Sequence, residues 1–163
     1  MEIVVASKEQ LSIIQQLARD IWFEAYKNIL SIEQIEFMLN QFYSYSSLEN
    51  QFDANQVFLL FSFKNEYVGY ASYELNFDNS NKTKLHKLYI MPKLQGKGFG
   101  KHAMNEVLSS AYKNNNLGVV LNVNKYNSAL QFYSKIGFTI VDSVIIDIGN
   151  DYIMDDYVME TNF

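Results

Sequence analysis

The chain has 163 residues, of which 48% are hydrophobic and 19% are charged, proportions that are typical of a globular protein and exclude a disordered one. Its net charge of −5 disfavours a nucleic-acid partner, and its lack of cysteine excludes a disulfide scaffold, a thiolate zinc site and a cysteine nucleophile. No apolar run reaches the length of about 18 residues that a membrane helix needs, and the N-terminus does not resemble a signal peptide. We therefore expect a cytoplasmic protein with a single domain over residues 1–163 and no membrane partner.

The first third of the chain is predicted to be mostly helical. A short apolar run at 3–6 predicts a strand. Ser7 and Ser31 each precede a glutamine by three residues, a spacing that is typical of the capping boxes that begin helices. Apolar residues recur at helical intervals after both boxes. The predicted helices cover residues 11–25, 35–42 and 46–52.

The rest of the chain alternates strands with two helices. One helix is predicted to follow the glycines near residue 100, and a second covers 127–135. Gly149-Asn150 predicts the turn of a final hairpin. The predicted strands, where β-branched and aromatic residues cluster, are 57–63, 67–76, 84–90, 119–123, 138–148 and 152–160. This order predicts an α/β or α+β fold with a mixed sheet.

The most informative segment is QGKGFGK at residues 95–101, which follows a strand and begins a helix. Glycines at alternate positions allow tight turns and let a ligand approach backbone N–H groups closely. The first N–H groups of a helix lack internal partners and carry partial positive charge, which favours a phosphate or pyrophosphate. Lys97 and Lys101 add positive charge there, unless they are only solvated surface lysines.

Two well-known phosphate-binding patterns do not fit this segment. A P-loop needs G-x-x-x-x-G-K-[ST], but Lys101 is followed by His102. A Rossmann fingerprint needs G-x-G-x-x-G, but here the spacing is G-x-G-x-G. A glycine-rich turn that binds no ligand is the remaining alternative.

Residues 95–100 resemble the acyl-CoA pyrophosphate loop, Q/R-x-x-G-x-G/A, of the GCN5-related N-acetyltransferase (GNAT) family. The sequence IGNDYIMDDYVME near the C-terminus is similar to that of PaiA-type bacterial polyamine acetyltransferases. A further block is similar to the V…N…A…FY…GF pattern of the family and consists of Val123, Asn127-Ser128-Ala129, Phe132-Tyr133 and Gly137-Phe138. The resemblance implies a mostly antiparallel central sheet, flanked by helices and splayed between its fourth and fifth strands.

The resemblance also implies that acetyl-CoA is the co-substrate and that no metal takes part. The glycine segment would hold the pyrophosphate, the strand end at 88–90 would pair with the pantetheine arm, and Asn127 would contact the arm. Asn127 could instead be only a helix cap. The resemblance also implies that Lys135 would reach the 3′-phosphate. The residues that the resemblance assigns to acetyl-CoA are Leu88, Tyr89, Ile90, Gln95, Gly96, Lys97, Gly98, Phe99, Gly100, Lys101, Asn122, Asn127, Tyr133 and Lys135.

Catalysis would consist of direct attack of an amine on the thioester, with backbone N–H groups near Ile90 stabilising the oxyanion. Tyr133 would lie near the sulfur and assist the leaving thiolate, mainly by hydrogen bonding, because a tyrosine pKa of about 10 exceeds a thiol pKa of about 8.5. A tyrosine that only packs in the core is the alternative. His86 is a candidate base because its ordinary pKa of about 6.5 suits proton acceptance. Glu74, Tyr89 and water are rival bases, and His86 could be purely structural.

Two further groups of residues concern the acceptor. Asp155 and Asp156, in the last hairpin, could attract a cationic substrate, or could be turn or edge charges. The aromatic residues of the first helices are predicted to lie in the core or to line a substrate pocket, since these helices flank the acceptor site in the family. These residues are Trp22, Phe23, Tyr26, Phe42, Tyr43 and Tyr45.

The sequence therefore predicts an acetyl-CoA-dependent N-acetyltransferase that acts on a small primary amine, such as a polyamine, in a ternary complex. Protein N-termini or lysines are the second choice of acceptor. The alternatives from other classes are a non-catalytic acyl-CoA-binding or regulatory module, and a phosphate-binding domain for another nucleotide. By family analogy we also expect a homodimer.

Overall fold

The computed structural model describes all 163 residues and contains one seven-stranded sheet. The strands are β1 (Glu2–Val5), β2 (Val57–Phe63), β3 (Glu66–Glu74), β4 (Thr83–Ile90), β5 (Gly118–Asn124), β6 (Thr139–Gly149) and β7 (Tyr152–Asn162). They lie in the order β1-β2-β3-β4-β5-β7-β6. Every neighbouring pair is antiparallel except β4 and β5, which are parallel. The mixed, mostly antiparallel sheet is thus confirmed.

Five α-helices connect the strands, and none of them combines the length and hydropathy needed to cross a membrane. They are α1 (Leu11–Tyr26), α2 (Ile32–Tyr43), α3 (Tyr45–Asp53), α4 (Phe99–Lys113) and α5 (Ala129–Lys135). The Ser31 hydroxyl accepts the Gln34 N–H at 3.1 Å and caps α2, as its spacing predicts. The Ser7 N–H donates to the Gln10 side chain at 3.0 Å, at a single 3-10 turn that leads into α1.

The core lies on both faces of the sheet, because alternate strand residues point to opposite sides. In β2, Phe58 and Leu60 pack against α1, α2 and α3, whereas Leu59 and Phe61 face the side covered by α4 and α5. All four side chains are buried. Burying one large apolar side chain stabilises the fold by about 1.5–3 kcal/mol, so a slip of one residue, which would exchange the two faces, is strongly disfavoured.

The final hairpin turns one residue later than the sequence predicts. Gly149 still pairs with Tyr152, so the two-residue loop is Asn150-Asp151 rather than Gly149-Asn150. Both loop residues have positive φ, +56° and +59°. Asparagine and aspartate tolerate this conformation better than most residues, which explains how the turn forms without glycine at either central position.

The sheet splays between β4 and β5, as the family resemblance implies. The two strands pair over only three residue pairs, from Thr83 with Val119 to Leu85 with Leu121. On the other side of β4, Ser72 lies opposite Lys87 while Tyr73 lies opposite Leu85, so His86 is the extra residue of a β-bulge. A bulge bends its strand, and this one lies where β4 leaves β5.

Candidate active site

A groove opens between β4 and β5 where the strands diverge. It has a volume of about 60 Å³ and is lined by 85–89 of β4, 121–123 of β5, and Asn127, Ala129 and Tyr133 of the segment around α5. Beyond Leu85, the edge of β4 that faces β5 has no strand partner. An extended ligand arm can therefore pair along this edge as an added strand. Leu88, Tyr89 and Asn122, all predicted to bind the acetyl-CoA arm, lie in this groove.

The glycine segment forms the N-terminus of α4. Gly96 and Gly98 have φ values of +76° and +83°, which residues with a Cβ rarely adopt. No atom lies within 4 Å of the position that a Cβ would take at either residue. The loop therefore presents its backbone to open space at a helix N-terminus, which suits a pyrophosphate. Gly100 has a packing reason instead, because a Cβ there would approach the Phe132 ring to 3.4 Å.

The charged residues around this loop are free to meet a ligand. Lys97 and Lys101 are exposed, and neither forms an ion pair. Lys135 is likewise exposed at the end of α5. The Gln95 amide donates to the Ile90 carbonyl at 3.3 Å and so ties the loop to the end of β4. Phe99 packs against Phe63, with the two ring centroids 5.1 Å apart.

Asn127 lies one residue before the N-cap Ser128 of α5, and its side chain acts as a cap while the residue also lines the groove. Its side-chain oxygen accepts the Ala129 N–H at 2.8 Å, which uses one of the orphan donors of the helix. This bond uses only the oxygen of the Asn127 amide, and the residue lines the groove as well. The two roles considered from the sequence are therefore compatible in one residue.

Tyr133 is buried at the inner wall of the groove. Its ring packs against Phe132 and Phe138, at centroid distances of 5.2 and 5.7 Å. Burial, and to a lesser extent Tyr26, raises the pKa of the Tyr133 hydroxyl well above its ordinary value. That hydroxyl forms no hydrogen bond within the protein, so it stays protonated and can donate to a group in the groove.

A larger pocket of about 400 Å³ adjoins the groove and shares five lining residues with it: Tyr26, His86, Lys87, Tyr89 and Asn122. We call it the acceptor pocket, after the acceptor amine that the family resemblance leads us to expect. Helices α1 and α2 supply its aromatic wall, through Trp22, Tyr26, Phe42 and Tyr43. Of the predicted aromatic set, Trp22 and Tyr43 are buried and also line this pocket, while Tyr45 is 42% exposed outside it.

Asp156 of β7 lies in the acceptor pocket opposite Asn124 of β5. It is 6% exposed, and its carboxylate forms no ion pair or hydrogen bond within the protein. Burial and the neighbouring Asp155 raise its pKa to about 6, although Lys84 and Lys125 oppose the shift. Asp155 itself forms an ion pair with Lys125 at 2.5 Å. The two acidic residues therefore differ, and only Asp156 presents a carboxylate to the pocket.

His86 is the bulge residue of β4 and lines both cavities. Its Nε2 lies 3.1 Å from a carboxylate oxygen of Glu74. Burial, together with the charges of Lys87 and Lys84, lowers its pKa to about 3 in spite of this carboxylate. The ring is therefore neutral at pH 7 and donates a hydrogen bond to Glu74. A pKa this low argues against His86 as the base, because it makes the ring a weak proton acceptor.

The other two side chains considered as bases, Tyr89 and Glu74, each contact another side chain of the protein. The Tyr89 hydroxyl is 2.9 Å from that of Tyr26, and burial raises the pKa of Tyr89 well above its ordinary value. The Glu74 carboxylate is hydrogen-bonded to His86.

The sequence indicates Asp155 and Asp156 equally as acidic residues of the last hairpin. The available signal was the strict alternation of β7, which turns successive side chains to opposite faces.

Comparison with known proteins agrees with this geometry. The acetyltransferase (GNAT) domain pattern matches residues 26–153. A spermidine N(1)-acetyltransferase of Thermoplasma acidophilum is 30% identical over 161 residues, which cover 95% of this chain and 96% of the relative. The crystal structure of PaiA N-acetyltransferase from T. acidophilum in complex with coenzyme A is 28% identical, with a TM-score of 0.82 and full coverage of both chains. A GCN5-related N-acetyltransferase structure from Rhodopseudomonas palustris has a TM-score of 0.84 at 15% identity, over 99% of this chain and 95% of its own, and supports the fold alone.

The fold and the groove define an acyl-CoA-dependent acetyltransferase. The chain belongs to the GNAT family and resembles its PaiA-like subgroup. It is an enzyme that transfers an acetyl group from acetyl-CoA to an amine. The non-catalytic module that the sequence left open is not favoured.

Proposed function

We propose that the acceptor is a small primary amine that attacks acetyl-CoA directly in a ternary complex, with its nitrogen held beside Asp156. The observation that carries this proposal is a buried carboxylate without a protein partner, in a pocket that adjoins the groove. Aromatic rings around the pocket also favour a cationic ligand. We further propose that residues 1–163 act as one acetyltransferase domain.

The proton of the acceptor decides which residue serves as base. An alkylammonium has a pKa of about 10.4, so only about one molecule in 2,500 is neutral at pH 7. Proton transfer to Asp156, with its pKa of about 6, is uphill by about 6 kcal/mol, whereas transfer to His86, with its pKa of about 3, is uphill by about 10 kcal/mol. The difference is about three powers of ten in the proton-transfer equilibrium, so we assign Asp156, directly or through water, as the proton acceptor.

Tyr133 is proposed to stabilise the leaving thiolate. Its raised pKa makes full proton transfer to a thiolate unfavourable, since an ordinary thiol has a pKa of about 8.5. The hydroxyl therefore acts as a hydrogen-bond donor, and the final proton on the thiol derives from the acceptor amine. The unpartnered edge of β4 near Ile90 supplies backbone N–H groups for the oxyanion.

A panel of amines with acetyl-CoA, followed by release of free thiol, tests this function. Spermidine belongs in the panel because of the name of the Thermoplasma relative, together with diamines, monoamines, amino acids and peptide N-termini. We expect at least one small primary amine to be acetylated, and we expect Asp156→Asn to lower kcat/KM by about 10²–10⁴, the usual range for a positioned base. Asp142→Asn, an exposed carboxylate on β6, is the matched control and should keep full activity.

Two results would contradict the proposal. The absence of thiol release with every amine in the panel would remove the small-amine acceptor. Normal kcat/KM in Asp156→Asn would remove Asp156 from the reaction and leave water as the base.

A further inference from the structure

Lys87 is a buried amine without a counter-ion in the wall of the acceptor pocket. It is 9% exposed, and no Asp or Glu oxygen lies within 4 Å of its nitrogen. Its one hydrogen bond in the protein is to the side-chain oxygen of Gln51, at 2.5 Å. A lysine is almost never this deeply buried unless it is paired.

The surroundings of Lys87 do not replace a counter-ion. Its nitrogen lies 5.3 Å from the ring centroid of Tyr43 and 5.8 Å from that of Phe58, which supplies weak cation–π attraction. Burial lowers the pKa of Lys87 to about 8, so about nine in ten side chains remain protonated at pH 7. A positive charge thus borders the pocket without a negative partner.

Gln51 holds this charge in a defined place. The Gln51 amide nitrogen donates to the Phe42 carbonyl at 2.9 Å and to the Ser47 hydroxyl at 3.0 Å. These two bonds fix the side chain, so that its oxygen faces the Lys87 nitrogen. The lysine is therefore positioned by helix α3, and its remaining N–H donors are available to a ligand.

The acceptor pocket also carries a negative charge, on Asp156, which lies on a different strand from Lys87. Asp156 lies on β7 beside β5, whereas Lys87 lies on β4 with α3 beside it. The two side chains form no ion pair. A ligand that satisfies both must carry a cation and an anion on separate ends.

We propose that the preferred acceptor is an amino carboxylate, whose amine lies beside Asp156 and whose carboxylate binds Lys87. This inference rests on the proposed function, because it takes Asp156 as the site of the reacting amine. It also implies that Lys87 disfavours an acceptor with a second ammonium at that position, as in a short diamine. A carboxylate that accepts a hydrogen bond from a charged lysine should be worth about tenfold to a hundredfold in kcat/KM.

Three five-carbon acceptors separate these possibilities: 5-aminopentanoate, pentylamine and cadaverine. Each presents a primary amine at one end of a five-carbon chain, and the far end is anionic, neutral or cationic. Measured at pH 7 by thiol release, kcat/KM is expected to fall in that order. The four-carbon and six-carbon sets, measured alongside, allow for the separation of the two charges in the pocket.

Lys87→Met keeps an apolar side chain of similar length and removes the charge. We expect it to lower the ratio of kcat/KM for 5-aminopentanoate to that for pentylamine by about tenfold to a hundredfold, and to raise the ratio of cadaverine to pentylamine. Lys113→Met, at the exposed end of α4, is the matched control and should preserve the order of the wild-type enzyme. Melting curves of both variants show whether they are folded.

The outcomes are distinguishable from those of the proposed function. If cadaverine is acetylated as well as or better than 5-aminopentanoate across the three lengths, the amino carboxylate is overturned while the small-amine acceptor stands. If the wild-type order persists in folded Lys87→Met, the lysine does not select the acceptor. If no amine is acetylated, both proposals fail together. The wild-type comparison tests the preference for an amino carboxylate even if Lys87→Met does not fold.

Discussion

Replacing Asp156 by asparagine is expected to make the enzyme less active and more stable at the same time. The carboxylate is buried without a protein partner, so folding must remove it from water. Asparagine has nearly the same shape and no charge, and therefore avoids this cost. It also cannot accept a proton from the acceptor amine.

The magnitude follows from the pKa of Asp156, which rises from an ordinary 3.8 to about 6 in the folded chain. A difference of about two in pKa corresponds to about 3 kcal/mol of folding free energy. Because the carboxylate borders an open pocket, solvent screening reduces this to about 1–2 kcal/mol. For a chain of this size, such a gain raises the melting temperature by a few degrees.

The size of the stabilisation by Asp156→Asn depends on pH. A carboxyl whose pKa is raised on folding favours the folded state when it is protonated, below about pH 4, and loses this contribution as the pH rises through about 6. The advantage of Asp156→Asn should therefore develop between pH 4 and 6 and be complete at pH 8. In the same window, kcat/KM of the wild-type enzyme should fall about tenfold per pH unit below pH 6, and the variant should lack this acidic limb.

Urea unfolding at pH 5 and pH 8 and a pH–rate profile on one active acceptor measure both effects. The exposed Asp142→Asn should change neither. A variant that is less stable than the wild type at pH 8 would show that the carboxylate is satisfied in the folded chain. An unchanged acidic limb would assign the titration to another group.

Three further expectations concern the groove and the loop. Tyr133→Phe should lower kcat by about 10²–10⁴ with little change in acetyl-CoA affinity, and a near-normal kcat with chemistry rate-limiting would return Tyr133 to a packing role. Gly98→Leu fills the open space at positive φ and should abolish acetyl-CoA binding in calorimetry; unchanged affinity would place the pyrophosphate elsewhere. Neutralising Lys97 and Lys101 together should weaken binding more at low salt than at high salt, because exposed charges are screened over about 10 Å at 0.1 M, and an equal loss at both would exclude steering.

Much of the fold was predictable because its signals are local. The strand over 57–63 was predicted with its observed bounds, since it is a dense run of β-branched and aromatic residues. The helix that starts at Ser31 follows from a cap within one turn. The loop at 95–101 requires positive φ at Gly96 and Gly98. Glycine is the residue that adopts positive φ readily, so this requirement can be recognised from the sequence.

The groove was anticipated only through the family pattern. Nothing in the sequence of β4 indicates that His86 is an extra residue, because a bulge is defined by the pairing of two strands and not by one strand alone. Burial of the ring, together with the charges of Lys87 and Lys84, lowers the pKa of His86 to about 3. The sequence offers only the ordinary histidine pKa, whereas the degree of burial that shifts it is set by the assembled sheet.

The charges of the acceptor pocket were decided by tertiary structure alone. Lys87 and Asp156 lie 69 positions apart in the sequence and come to one cavity only because β7 pairs with β5, which in turn joins β4. Whether a lysine or an aspartate is a solvated surface charge or a buried one depends on which helices cover it, and α1, α2 and α3 are far away in the chain. Composition and periodicity determine which residues can form the sheet and the loop, whereas the burial of a charge is a property of the assembled layers.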